Sequence, residues 1–167
     1  YAAILAGTDL QNVTIRGEGT INGQGDAFRD KSKTRPKNIY LQNCRNVTIE
    51  GIRLRDAGSW MQHYRHCDGL SIRNIDVFNH VAYNNDGLNV DSCRNVRIED
   101  CRVDSDDDGI VLKSLSSAPC HGVVVRNCTI EGNDGSGVLV YLKLLSATSL
   151  PVSIRVENCH IKSSGAH

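Results

Sequence analysis

Six short β-branched runs recur along the chain. They are Val13-Thr-Ile-Arg-Gly17, Val47-Thr-Ile-Glu-Gly51, Leu70-Ser-Ile-Arg-Asn74, Val96-Arg-Ile-Glu-Asp100, Val123-Val-Val-Arg-Asn127 and Ile154-Arg-Val-Glu-Asn158. Their starts lie 34, 23, 26, 27 and 31 residues apart. Each run alternates apolar and polar residues, the period of a half-buried strand. Each ends on Gly, Asn or Asp, residue types that tolerate the left-handed conformation and so bend a chain in one residue. A second apolar pair follows at once, as in Ile52 and Leu54 or Ile75 and Val77. A third strand completes most copies: Ile39-Tyr-Leu, Leu88-Asn-Val, Ile110-Val-Leu.

A unit this small cannot bury its own apolar face, so it must stack on its neighbours. Stacked in register, equivalent residues form ladders about 4.8 Å apart. The expected fold is therefore all-β: a right-handed parallel β-helix of about six coils, with Val13, Val47, Leu70, Val96, Val123 and Ile154 on one inner face. A leucine-rich repeat is excluded because its leucine and asparagine spacing is absent. Residues 1–167 read as a single β-helix domain. Tyr1 to Gly7 resemble the end of a strand, so the domain is expected to be part of a longer β-helix. Two long gaps remain. Residues 24–37, with charges and Gly, read as a solvated excursion; residues 142–151 are more apolar and are expected to cover one side of the stack or to mark a truncation.

Composition removes other classes. Apolar residues make up 40% and charged residues 23%, which excludes a disordered chain. Nineteen basic residues balance nineteen acidic ones, so a nucleic-acid binder relying on bulk positive charge is excluded. No apolar run reaches membrane-spanning length, and no signal peptide opens the sequence. Of seven cysteines, Cys44, Cys67 and Cys93 precede an apolar run and Cys101, Cys128 and Cys159 follow one. No Cys/His spacing fits a metal site. They read as small buried core residues without disulfides.

Two loop-to-strand junctions carry the chemistry: Asn84-Asn-Asp86-Gly87 and Ser105-Asp-Asp107-Asp108-Gly109. Asp86 and Asp107 are 21 residues apart, close to one coil, and both stand shortly before a Gly and a third-strand run. Stacking is expected to project them from one sheet edge, with carboxyls about 5–9 Å apart; inverting glycosidases need about 6.5–9.5 Å. Clustered carboxylates cannot all ionise easily, so at least one pKa should rise and supply a general acid. On spacing alone a solvated acidic turn and a calcium site remain open beside catalysis.

From Arg35-Pro36 to Cys128 the chain resembles glycoside hydrolase family 28, the polygalacturonase family of right-handed β-helices. The resemblance rests on Asn43-Cys44-Arg-Asn-Val-Thr-Ile, Trp60-Met-Gln-His63, Asn84-Asn-Asp-Gly for the family's Asn-Thr-Asp-Gly, Asp91-Ser-Cys-Arg-Asn-Val, and Ser105-Asp-Asp-Asp-Gly-Ile-Val-Leu-Lys-Ser. It implies Asp86, Asp107 and Asp108 as catalytic residues. Asp107 would be the general acid, and Asp86 and Asp108 would hold and activate the water. Asp106 takes the place of a family Gly and is not carried over.

It further implies an inverting hydrolase of a pectin-like polysaccharide, extracellular or periplasmic, without cofactor or metal. Its partners would be a poly- or oligosaccharide and not nucleic acid or membrane, and end-to-end association of the coils is open. Two family features are missing. The Gly-His-Gly expected near Gly132-Asn-Asp-Gly135 has no His. The uronate-gripping Arg-Ile-Lys has no counterpart, His160-Ile-Lys162 lying in the wrong part of a coil.

Asn84, His63 and Lys113 are candidate substrate-binding residues: a turn amide, a ring at the Trp-x-x-His spacing, and a cation for an acidic sugar. Each also has a purely structural reading. Tyr64, Tyr83 and His80 are candidate walls of a cleft, and His66 a packed residue. The alternative function is a non-catalytic β-helix module, truncated or decayed, that binds glycan or serves a structural role. A calcium-dependent polysaccharide lyase would require basic residues beside the carboxylates.

Overall fold

A computed structural model describes residues 2–30, 34–115, 118, 120–142 and 153–164. The loop 142–151 lies almost wholly outside them. The chain winds as a right-handed parallel β-helix with three parallel sheets of six strands each. The first sheet stacks Ala3–Thr8, Lys37–Gln42, Gln62–Arg65, Leu88–Asp91, Ile110–Ser114 and Val138–Leu142. The second stacks Gln11–Arg16, Arg45–Glu50, Asp68–Arg73, Arg94–Glu99, His121–Arg126 and Ile154–Glu157. The third stacks Thr20–Asn22, Arg53–Arg55, Asp76–Asn79, Arg102–Ser105, Thr129–Gly132 and His160–Ser163. Among the described residues the only helix is a 3-10 turn, Gly25–Phe28, so no helix is long and apolar enough to cross a membrane.

The six repeats form one ladder, Val13 pairing with Val47, then Leu70, Val96, Val123 and Ile154. Two residues on, Ile49, Ile72, Ile98 and Val125 repeat the pattern, all buried. Full burial of each such side chain contributes roughly 1.5–3 kcal/mol. All six one-residue bends, Gly17, Gly51, Asn74, Asp100, Asn127 and Asn158, have positive φ. Asparagine and aspartate side chains knit neighbouring coils together at the corners: Asn127 Nδ2 donates to Asp100 Oδ1 at 3.1 Å, and Asn46 Nδ2 to Asn12 Oδ1 at 2.7 Å.

All seven cysteines are free thiols, six of them buried. Most donate to the carbonyl two residues earlier, for example Cys101 Sγ to Glu99 O at 3.1 Å and Cys93 Sγ to Asp91 O at 3.3 Å. A thiol is small enough to sit inside the turn, and it adds a second, weak donor to a carbonyl that already accepts a backbone N–H from the neighbouring coil. Tyr64 is no cleft wall. It shares the inward face of its strand with Gln62, is fully buried, and donates its hydroxyl to Gln62 Oε1 at 2.6 Å. A neighbouring buried amide satisfies its one polar atom.

Candidate active site

The first sheet carries the site at the edge where its strands begin. Gly87 donates to Asp108 O at 2.9 Å, and Gly109 to Ser136 O at 2.8 Å, while Leu88, Ile110 and Val138 pair in register. Gly87, Gly109 and Gly137 are therefore level, and so are Asp86, Asp108 and Ser136. The expected pairing of Asp86 with Asp107 is off by one residue: the level partner is Asp108, 22 residues on, because one coil here takes 22 residues. Asp107 sits one residue before that line. The Asp-Gly step is fixed by packing: a Cβ on Gly87 would lie 2.3 Å from Val103 Cγ1 and 2.6 Å from Gly109 O.

One oxygen from each of Asp86, Asp107 and Asp108 lies within 4.8 Å of the other two. This is tighter than the 5–9 Å expected from the rise of one coil, because Asp107 and Asp108 are adjacent and both turn toward Asp86. Asn84 Nδ2 donates to Asp107 Oδ2 at 3.2 Å, the Asp108 N–H to Asp107 Oδ1 at 3.0 Å, and the Ser136 N–H to Asp108 Oδ1 at 2.7 Å. Asp86 is 5% exposed and accepts from Asn89 Nδ2 at 2.9 Å. Burial pushes its pKa up to about 7; the charges of Asp107 and Asp108 add to this, against the Asn89 hydrogen bond and the pull of Lys113. The expected raised carboxyl is thus present, on Asp86. Among the described residues this triad also has the spacing to hold a metal ion.

Asp106 turns elsewhere. Its Oδ1 is 3.7 Å from His80 Nδ1, whose Nε2 lies 2.6 Å from Asp104 Oδ1. Gly135 abuts the triad, where a Cβ would be 2.8 Å from Asp107 Oδ1 and 2.7 Å from Asp108 N. Lys162 lies in the third sheet, 3.6 Å from Glu131 and, through it, in register with Asp104.

The backbone of Asp86 is held by two fully buried asparagines. Asn79 Nδ2 donates to Ser59 O and Asp86 O at 3.0 and 3.1 Å, and Asn85 Nδ2 donates to Ala57 O and Ser59 O at 3.1 and 3.0 Å. Asn79 Oδ1 accepts from the Ala57 N–H at 2.9 Å and from Asn85 Nδ2 at 3.2 Å. The Arg35 guanidinium braces the same loop, lying 3.7 Å over the Tyr83 ring and donating to Tyr83 O and Gly58 O.

Below the triad the outward face of the first sheet is buried. Lys113, 6% exposed, donates to Asn89 Oδ1 and places Nζ 3.6 Å over the Trp60 ring. His63, 2% exposed, meets Trp60 edge-on at 5.2 Å and tilts against Tyr40 at 5.3 Å. Burial lowers the His63 pKa, with Lys113 and Lys37 adding to that and Asp91 opposing it. Burial would raise Asp91, but the His63 ring 3.7 Å away and hydrogen bonds from the Leu115 N–H and the Ser92 hydroxyl outweigh it and hold the carboxylate down to about 2.

Of the sequence candidates, Asn84 and the three aspartates converge, Lys113 joins them through Asn89, and His63 packs underneath. Asn89, Trp60, Lys37, Asn79 and Asn85 complete the surroundings. Asn89 was visible in principle, as the outward residue of its strand in register with His63.

The fold is thus a parallel β-helix whose first-sheet edge gathers three aspartates. The family described as Glycosyl hydrolases family 28 matches residues 2–164, and the chain belongs to that family. A probable polygalacturonase of Vitis vinifera is 36% identical over 122 residues, covering 68% of this chain and 25% of that protein. A probable polygalacturonase of Arabidopsis thaliana is 26% identical over 167 residues, covering 94% and 34%. The crystal structure of a hyperthermoactive exopolygalacturonase from Thermotoga maritima superposes with a TM-score of 0.60 at 26% identity, covering 75% of this chain and 29% of that one. The chain spans about a quarter to a third of the length of these relatives.

Proposed function

We propose that this chain carries the acid–base centre of a glycoside hydrolase that cleaves a pectin-like polysaccharide with inversion. The observation behind this is the convergence of Asp86, Asp107 and Asp108 within 4.8 Å in a family 28 chain, with Asp86 pushed to about 7. A glycosidic bond breaks when its leaving oxygen is protonated on one side and water attacks the anomeric carbon from the other. Asp107 is the donor in this reading. Asp86 and Asp108, level on adjacent coils, hold the water and take its proton.

Reducing-end release from polygalacturonate tests the reading, with the anomer of the fresh product read by NMR. Release of the inverted anomer by the parent and not by Asp107→Asn supports it. A parent inactive on acidic and neutral polymers overturns it in favour of the second reading, a glycan-binding module without turnover. The absence of His from residues 132–137, beside the triad, favours that second reading.

The site also bears on domain and place. Large apolar side chains are exposed on the first coil (Ile4, Leu5, Leu10) and on the last (Val140, Val156, Ile161). We read residues 1–167 as one domain continuous with further coils, or associated end to end through those faces. An extracellular or periplasmic location follows from the polymer substrate.

A further inference from the structure

His80 takes no part in the acid centre, yet its side chain spans three consecutive coils. In each coil a turn leads from the third sheet to the first. Asn79, Ser105 and Gly132 end level strands, so His80, Asp106 and Asn133 follow level with one another. His80 opens the turn that ends at Asp86 and Gly87. The next turn, after Arg102–Ser105, carries Asp107 and Asp108. The third, after Thr129–Gly132, carries Ser136, whose N–H binds Asp108 Oδ1 at 2.7 Å.

The His80 ring reaches sideways across this stack. Nε2 is 2.6 Å from Asp104 Oδ1, and Nδ1 is 3.3 Å from Asn133 Nδ2. Asp106 Oδ1 is 3.7 Å from Nδ1, too long for a hydrogen bond. A carboxylate only accepts, so Nε2 carries the hydrogen; in a neutral ring Nδ1 is then the acceptor that the Asn133 amide needs. Asp104 is itself held through its other oxygen by Arg102 Nη2 at 3.0 Å. Phe78 lies against the ring, centroids 4.4 Å apart, and limits its plane. Both nitrogens and one face are engaged.

Near the triad, the Asp86 turn and the Asp107–Asp108 turn are joined by Asn84 to Asp107 and by Gly87 to Asp108. At the other end of the same two turns the joining side chain is His80. Little chain lies between the two staples: Asp104 is three residues before Asp107, and His80 six before Asp86. That stretch is itself tied, the Asp106 N–H to Asn79 O at 3.0 Å and the Ser105 hydroxyl to Asp107 O at 3.3 Å. A shift at His80 therefore reaches the carboxylates.

We propose that His80 is a positioning residue for the acid centre: through Asp104 and Asn133 it holds the three turns in register and so fixes the separation of Asp86 from Asp107 and Asp108. Its effect on rate rests on the glycosidase reading; its effect on the carboxylates rests on geometry alone. His80 acts through the turns, so it should govern turnover and leave substrate affinity nearly unchanged. A displacement of about 1 Å at a reacting group costs about 10²-fold in rate.

His80→Ala, His80→Gln and Asn133→Ala are compared with the parent in two measurements. The first is kcat and KM on polygalacturonate, corrected for the folded fraction. His80→Ala should lose about 10–100-fold in kcat with KM within about threefold. His80→Gln, whose amide can still donate to Asp104, should regain part of that loss. The second measurement needs no turnover: aspartate carboxyl carbons, labelled with carbon-13, are followed by NMR from about pH 4 to 9. Asp86 titrates at about 7 in the parent, through burial and the charges of Asp107 and Asp108. His80→Ala should bring it down by at least about half a pH unit, because looser turns admit water and separate the charges. A kcat within about threefold of the parent, a glutamine variant no better than alanine, or an Asp86 titration that does not move overturns the proposal. Should His80→Ala not fold, Asn133→Ala carries the same readings, with a fall in kcat of about three- to tenfold. The two readings fail separately: a parent that hydrolyses nothing removes the glycosidase and leaves the titration to decide on His80, while a hydrolysing parent indifferent to His80→Ala keeps the glycosidase and removes the staple.

Discussion

Asp86 stands level with Asp108 on the neighbouring coil, each one residue before a stacked glycine, and Asp107 is the carboxylate out of step. That offset gives the triad two unlike components.

Asp107→Asn keeps shape and removes the proposed proton donor. Its turnover on polygalacturonate should fall by about 10²–10⁴. Asp86→Asn and Asp108→Asn should fall comparably. Asp106→Asn, which loses only its place beside His80, should stay within a factor of about three. Initial rates and melting temperatures measured on the four variants check this, and an Asp106→Asn as damaged as Asp107→Asn would sink the assignment.

Asp86 gives the fold a pH dependence of definite sign. Its folded pKa of about 7 lies above the ordinary value of 3.8, so the folded state binds more protons between those values. This carboxyl costs nothing at pH 3, and its cost grows as pH rises from about 4 to 7, reaching on the order of a few kcal/mol above that. Asp86→Asn should therefore raise the melting temperature at pH 8 and leave it little changed near pH 4. Thermal melts of parent and variant across that range test the sign.

Asp91 works in the opposite direction. Its folded pKa of about 2 is depressed, so its contribution is present above about pH 4 and is lost as pH falls through 2. Asp91→Asn should lower stability at pH 6 and flatten the acid limb of the melting curve below pH 4.

Asn85→Ala should destabilise the chain by about 1–3 kcal/mol, because it strands the Ala57 carbonyl and the Ala82 N–H in a buried turn. Activity should fall further than stability explains, since that turn positions Asp86. Activity that simply tracks the folded fraction in a urea titration would refute a positioning role.

The repeat was legible because the fold is local: alternation, a bend residue and a fixed return are printed in each coil. The site was half legible. Asp86, Asp107, Asp108 and Asn84 sit in consecutive motifs, so stacking alone gathers them. Their register was not legible, since a one-residue difference in coil length depends on how Gly87 and Gly109 pack. Lys37 was invisible for another reason. It lies 76 residues from Lys113, and only side-chain reach across the sheet brings both to Trp60. Tyr64 misled because an aromatic beside a candidate His resembles a sugar platform, whereas the pairing of its hydroxyl with Gln62 lets it sit in the core.

The buried cysteines have a use beyond packing. They occur at Cys44, Cys67, Cys93, Cys101, Cys120, Cys128 and Cys159, nearly one or two for every turn of the middle of the column. Each is shielded only while its own corner is closed, so an alkylating reagent would date the opening of each corner separately. Cys159, the one only partly covered, should mark first and the central Cys93 last. The molecule thus carries its own ruler, graduated in thiols, for whether it frays from an end or comes apart all at once.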